Sequence, residues 1–260
     1  MHIQLEVTTI CNYDCFYCAG RDMEQRHMEM SLFEKIIKDI PADKVHRVSL
    51  QGEGEPTLHP EFWRMVETVS DLGHIPYTIS NGTRLKPELI KKYFPSVFGI
   101  SIDTINAEEA EKIKRYNLKK VLKNLDKLLE CYDPMKIVIH TVDYGQDIQL
   151  LSEYLRERKI YNHVIQPLQI KDDYSYRYQD KVEVPQEKCT YQCGFIDEPV
   201  LRYYNIDGVE MPCCYIKNVS VYTSIENIKT QLDNKVIPDA CAGCRELYDK
   251  EDLTKVFKVQ

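Results

Sequence analysis

The chain has 260 residues, of which 43% are hydrophobic and 29% charged, and its formal net charge is −7. That length suits one large domain, or a domain with a smaller companion, and the acidic balance argues against nucleic acid as the main partner. No apolar run approaches the ~20 residues of a membrane helix, and the start, MHIQLEVTT, lacks the basic and apolar regions of a signal peptide, so the reading is a cytoplasmic protein without a membrane partner.

Short apolar runs alternate with longer amphipathic ones. They predict strands at Ile3–Val7, Val45–Leu50, Ile75–Ile79, Phe98–Ile102, Ile137–Thr141 and Val164–Leu168. Between these, helices are expected at Leu32–Ile40, Pro60–Leu72, Pro87–Tyr93, Ala107–Glu130 and Asp147–Arg158. This order predicts an α/β fold, a parallel sheet with crossover helices. Six strands suit an open, partial (β/α)6 barrel, since a closed one of the usual kind takes eight. Residues 1–168 form that barrel, 169–188 are a polar, tyrosine-rich linker or covering loop, and 189–260 form a small α+β tail. In the tail, a turn at Asp207-Gly208 joins two strands as a hairpin, and Ser224 caps a short helix running to Leu232. There is no internal repeat and no low-complexity tract.

In such sheets ligands bind beyond the carboxyl ends of the strands. Several polar segments fall there. Cys11, Cys15 and Cys18 follow the first strand, QGEGEPTLHP the second, and Ser80-Asn81-Gly82 the third, while Ser101 and Asp103 close the fourth. His140 and Gln166, at the ends of the fifth and sixth strands, would face the same pocket on strand placement alone. Asp172–Tyr178, polar and aromatic, reads as a solvated linker in preference to a pocket lining.

Ten cysteines accompany no export signal, and they are clustered: three at 11–18, six between 189 and 244, and Cys131 alone. In a reducing compartment such clusters read as metal ligands before disulfides. The first set has the spacing C-x3-C-x2-C. Three thiolates hold three corners of a 4Fe–4S cube and leave the fourth iron open, whereas clusters that only carry electrons usually have all four corners held by cysteine. Zinc would be left short of a closed shell by three cysteines alone.

With Tyr17 just before its last cysteine, this triplet resembles the radical S-adenosylmethionine (SAM) superfamily, and the resemblance runs over nearly the whole chain. It implies that Cys11, Cys15 and Cys18 hold a 4Fe–4S cluster and that SAM chelates the open iron through its amino nitrogen and carboxylate. Reductive cleavage then yields methionine and a 5′-deoxyadenosyl radical, which takes a hydrogen atom from a substrate C–H bond; the cofactor supplies the chemistry and the protein the position. The resemblance also implies Tyr17, Gly54, Glu55, Ser80, Asn81 and Ser101 as cofactor contacts. The family pattern Gly-Gly-Glu-Pro stands here as Glu53-Gly54-Glu55-Pro56, with Glu53 in place of the first glycine and Gly52 before it. Glu55 would accept from the cofactor's amino group, a charge-assisted pairing. A phosphate-binding glycine loop is the poorer reading, because Glu53 and Glu55 repel phosphate and no lysine follows. Ser80-Asn81-Gly82 fits a plain Asn-Gly turn equally well. Ser101 and Asp103 fit a turn or cap as well as a contact, and His59 fits a structural hydrogen bond.

The tail resembles the twitch module, the shortened form of the SPASM domain. That implies a second, auxiliary 4Fe–4S cluster closed by Cys193, Cys213, Cys241 and Cys244; a four-cysteine zinc site is its rival. Cys131 reads as packing. Cys189 and Cys214 remain, each open to reading as an alternative ligand, a buried cysteine or, as in related epimerases, a hydrogen-atom donor to the substrate radical. Cys214 is the catalytic candidate.

The resemblance implies a radical SAM oxidoreductase or epimerase. Compact size and a single auxiliary cluster resemble the aminocyclitol dehydrogenases of the family, so a small polar substrate such as a sugar or aminocyclitol is expected. One alternative is modification of a ribosomally made peptide, for which the short run before Cys11 leaves no room for an N-terminal peptide-recognition domain. Another is an iron–sulfur or zinc protein without SAM chemistry. A flavodoxin or ferredoxin is the implied electron donor.

Overall fold

The computed structural model describes residues 2–41, 44–168, 190–197, 201–216 and 219–247. The sequence's strands and helices alternate as expected. β1 (His2–Leu5), β2 (Arg47–Leu50) and β3 (Ile75–Tyr77) pair in parallel. β4 (Ile79–Ser80), β5 (Phe98–Ser101), β6 (Ile137–Asp143) and β7 (Asn162–Pro167) form a second parallel set in chain order. The expected third strand is split between the two. Thr78 makes the handover: its hydroxyl donates to the Leu50 carbonyl at 2.7 Å, and its own carbonyl accepts from Gly99 N at 3.0 Å. Among the described residues, the result is the expected partial barrel, open at the β7 edge.

The helices bury one face each against the sheets. On α1 (Met30–Lys38) these are Met30, Phe33, Ile36 and Ile37, and on α2 (Phe62–Asp71) Phe62, Met65, Val66 and Val69. Each fully buried side chain of this kind contributes about 1.5–3 kcal/mol. α3 spans Pro87–Tyr93, the predicted range. The helix expected at Ala107–Glu130 is two: α4 (Ala107–Lys112) and α5 (Leu118–Leu129). Lys114 and Asn117 take the left-handed conformation between them, at φ 60° and 62°. α6 (Ile148–Glu157) is capped by Asp147, whose side chain accepts from Leu150 N.

The tail adds a short helix α7 (Gly194–Asp197), the hairpin β8 (Leu201–Tyr204) and β9 (Glu210–Met211), and α8 (Ile225–Asp233) with the expected Ser224 cap. The hairpin turns through Gly208 at φ 73°. β8 pairs in parallel with β1 over His2–Leu5, so the hairpin extends the barrel's first edge. The cores also interlock. Tyr204 and Ile206 of the tail sit in the barrel core, while Phe16, Tyr17 and Tyr144 of the barrel pack in the tail core.

Alternation along the strands makes the inner face polar. Ile3, Leu5, Val48 and Leu50 point to the helices, leaving Gln4, Ser49 and Gln51 on the other face. Across the barrel the Tyr77 hydroxyl lies 2.9 Å from His140 Nε2. Gly99 permits this crossing, because a Cβ there would lie 3.1 Å from that hydroxyl and 2.8 Å from the Thr78 carbonyl.

Candidate active site

The loop after β1, the turn after β2, the end of β4 and the end of β5 meet around a cleft of about 300 Å³. Cys11, Cys15, Tyr17 and Cys18 line it, with Gly54 and Glu55, Ser80 and Asn81, and Ser101. Cys214 of the tail lines it too. Asp103 lies just beyond, in a smaller adjoining cavity.

Backbone bonds fix the cysteine loop to its neighbours. Gly54 N donates to the Thr8 carbonyl at 3.1 Å and Glu55 N to the Ile10 carbonyl at 2.8 Å. A Cβ on Gly54 would lie 2.5 and 2.6 Å from the Thr8 and Ile10 carbonyl oxygens, so only glycine allows this approach. Glu55, 2% exposed, accepts from Thr57 N, the Thr57 hydroxyl, the Ser80 hydroxyl and Asn81 N. Burial pushes its carboxyl pKa up while these bonds oppose the shift. Four donors meet the roughly four lone-pair sites of a carboxylate, so Glu55 ties the turn after β2 to the end of β4. Asn81 does similar work: its amide nitrogen donates to Asn12 Oδ1 at 2.9 Å and lies 3.9 Å from Cys11 Sγ.

On the far wall, Arg115 donates to Asp103 Oδ2 and to the Ser101 hydroxyl, both at 2.7 Å. Asp103 also accepts from the Tyr17 hydroxyl and, at 2.8 Å, from Val142 N. Burial works against the Arg115 charge, yet Asp103, Tyr17 and Cys15 together raise its pKa, so it stays a cation. The Arg115 Nε is buried without a hydrogen-bond partner among the described residues. Burial pushes the Cys11 and Cys15 thiols up, and pushes Cys18 to about 12 with the Glu53 charge adding to it. A bare thiolate is therefore disfavoured here, and ligation needs the compensating charge of a metal.

The Radical SAM superfamily model matches residues 5–157. The chain belongs to the radical SAM superfamily. A GTP 3′,8-cyclase of Mannheimia succiniciproducens is 27% identical over 202 residues, or 72% of this chain and 60% of that protein. A probable GTP 3′,8-cyclase of Methanococcus maripaludis is 25% identical over 259 residues, 95% of this chain and 81% of that one. This chain thus spans only about three fifths of the Mannheimia protein's length. In fold, Streptococcus suis SuiB bound to S-adenosylmethionine superposes with a TM-score of 0.67 at 14% identity, covering 100% of this chain and 68% of SuiB.

A radical SAM enzyme carries a 4Fe–4S cluster and S-adenosylmethionine, and the donor set here fits them. Three thiols of one loop line a single cleft. Three thiolates suit three corners of a cube and leave the fourth open. In the tail, Cys193, Cys213 and Cys244 are buried in one apolar cluster, with Cys241 packed against it. None of the nine described cysteines is in a disulfide.

Other predicted residues settle differently. His59 is a structural staple: Glu61 N donates to its Nδ1 at 3.1 Å, leaving Nε2 to donate to the Met28 carbonyl at 2.9 Å. His140 is spent on Tyr77, and Gln166 is exposed on β7. Neither is among the residues that line the cleft. Cys189 and Asp172–Tyr178 lie outside the described residues. The sequence reading passed over Gln4, Gln51, Arg115 and Tyr215, all on the cleft. Period-2 alternation on β1 and β2 signals the two glutamines; nothing local signals Arg115.

Proposed function

We propose that this radical SAM enzyme oxidises or epimerises a small polar molecule such as a sugar or aminocyclitol. The observation that carries the reading is the Cys213-Cys214 pair. Cys214 stands on the wall of the cleft that the cysteine triplet lines, while Cys213 is buried in the tail core among the other tail cysteines. Cys214 also packs against that tail core, so the pair lies where the cleft and the tail cysteines adjoin.

In this reading Cys11, Cys15 and Cys18 hold the first cluster, and Cys193, Cys213, Cys241 and Cys244 hold an auxiliary one in a twitch-like tail. Reduced cluster and S-adenosylmethionine together supply the radical that removes the substrate hydrogen. Arg115, held by Asp103 and Ser101, places a cation on the cleft wall for a cofactor or substrate carboxylate. Tyr17 is held by Asp103 and stacks on Tyr144, with ring centroids 6.2 Å apart, closing the cleft on that side. In an epimerisation the Cys214 thiol gives its hydrogen atom to the substrate carbon: a C–H bond forms and the S–H bond breaks. One electron and one proton then restore the thiol, the electron from the low-potential donor that the reaction already requires. In an oxidation the substrate radical loses an electron and a proton instead, and Cys214 is a spectator.

The relatives' names point to a nucleotide as the second reading. The cleft is a poor match for a triphosphate: among its described residues Arg115 is the single Arg or Lys, and Glu53 and Glu55 are acids. Among the described residues no helix is long and apolar enough to cross a membrane.

The test is anaerobic reconstitution, iron counting and a 5′-deoxyadenosine assay against sugars, aminocyclitols, GTP and peptides. Stimulation by a sugar or aminocyclitol is expected, and stimulation by GTP alone would replace the first reading with the second. Solvent deuterium entering the product, and its loss in Cys214→Ala, identifies the thiol as donor. Unchanged turnover and stereochemistry in that variant removes Cys214 from the mechanism.

A further inference from the structure

We propose that the Glu53 carboxylate sets the reduction potential of the barrel cluster, holding it low through a negative charge fixed at the Cys18 corner. The proposal rests on the reading of Cys11, Cys15 and Cys18 as that cluster's ligands. Glu53 Oε2 lies 3.8 Å from Cys18 Sγ, and the Glu53 carbonyl oxygen lies 3.6 Å from the same sulfur.

The backbone that carries this side chain is held from two sides. Glu53 N donates at 3.0 Å to Oε1 of Glu6, itself 1% exposed. Gly20, two residues past Cys18, packs so tightly that an added Cβ would lie 2.5 Å from the Glu53 carbonyl oxygen and 2.8 Å from its Cβ. The cysteine loop and Glu53 are thereby locked together, backbone to backbone. The two acids of the turn have separate work: Glu55 is committed to Thr57, Ser80 and Asn81, whereas Glu53 stands on the cleft wall beside the sulfur.

A cube held by three thiolates gains one negative charge on reduction. A neighbouring carboxylate raises the free energy of that reduced form, and the interaction is strong where water is sparse. Charge and hydrogen bonding beside the ligands are established levers on cluster potential. A low potential favours onward transfer of the single electron to a sulfonium, which is hard to reduce. The glycine that the family pattern places at this position has no charge to offer.

The experiment uses full-length wild type, Glu53→Gln and Glu53→Asp, each reconstituted anaerobically. Each is titrated with titanium(III) citrate while electron paramagnetic resonance follows the reduced signal that changes on adding S-adenosylmethionine. That response singles out the barrel cluster. We expect the midpoint of Glu53→Gln to move positive while Glu53→Asp stays near wild type, with iron content and melting temperature unchanged. A Glu53→Gln midpoint equal to wild type at equal iron content overturns the proposal. Loss of the cluster from both variants also overturns it, since Glu53 would then be part of the scaffold. A wild-type protein with no signal responsive to S-adenosylmethionine would instead overturn the ligand reading beneath.

Discussion

Cys11, Cys15 and Cys18 lie within one loop and are placed by backbone hydrogen bonds, with Gly54 and Glu55 donating to the Thr8 and Ile10 carbonyls and Asp14 to that of Lys114. Cys193, Cys213, Cys241 and Cys244 come from three separate stretches and are brought together by apolar packing with Tyr203, Met211, Ile228 and Leu232. A loop hung on strand ends can present its thiols to a cleft and leave a corner open. A set assembled by core packing is more enclosed, and any metal it held would be coupled to folding of the segments that carry it. The barrel set is therefore suited to binding a second molecule, and the tail set to remaining closed.

Removing one ligand from each set gives the largest expected effects and tests the comparison most directly. Cys15→Ala should abolish 5′-deoxyadenosine formation and lower bound iron from about eight to about four per chain, with little change in melting temperature. Cys213→Ala should lower iron by the same amount and keep cleavage of S-adenosylmethionine, but lower the melting temperature by several degrees or roughly more. Loss of cleavage in Cys213→Ala would collapse the distinction between the two sets.

Arg115 belongs to the barrel side. Its side chain is 12% exposed and that of its partner Asp103 is fully buried. Arg115→Met leaves that carboxylate uncompensated and should cost about 3–5 kcal/mol in denaturant unfolding. Adding Asp103→Asn should recover part of the loss, and strictly additive effects would mean the pair is not coupled.

Acid should act through the barrel's histidines. All seven histidines lie between His2 and His163, and burial lowers the pKa of His2, His27, His74, His140 and His163. His140 falls furthest, to about 4 from an ordinary 6.5. As pH drops below 6.5 the unfolded chain takes up a proton that native His140 refuses until about 4. Stability is thus full above pH 6.5 and declines through that window, by an amount on the order of 3 kcal/mol for this residue. His140→Gln, which keeps an acceptor for Tyr77, should flatten the decline measured by urea unfolding at pH 7, 6 and 5.

Much of the barrel was legible because its signals are local. Apolar runs marked all six strands, and the cysteine spacing, Gly54-Glu55-Pro56 and Ser80-Asn81 all fall on one cleft. What escaped depends on tertiary contact. The split at Thr78 reflects two neighbouring strands pulling one segment to both sides. Arg115 was hidden by a helix stop without its usual residue. α2 ends at Gly73, with Gly73 N bonded to the Ser70 carbonyl and His74 N to that of Val69, the common glycine form of this cap. α4 ends by the same pair of bonds around Lys114, with Arg115 N reaching the Ala110 carbonyl. A lysine there reads as uninterrupted helix, and the break it makes is what turns Arg115 into the cleft.

The same cap recurs with lysine in both regions, which gives the finest test of how separate they are. Lys159 ends α6 at φ 61°, with Ile160 N bonded to the Leu155 carbonyl, and Lys235 ends α8 at φ 57°, with Val236 N bonded to that of Gln231. A non-glycine residue in this conformation costs about 1–2 kcal/mol, partly offset by the greater chain entropy that glycine loses on folding. Lys159→Gly and Lys235→Gly should each stabilise the protein by up to about 1 kcal/mol. The first lies in the barrel and the second in the tail. Were the two regions independent, calorimetry would show two transitions and each variant would raise only its own. The pairing of β8 with β1 and the exchange of Tyr204 and Tyr17 between cores favour one transition that both variants raise. Two separable transitions would mean that the tail cysteines are organised by their own metal site more than by the barrel they pack against.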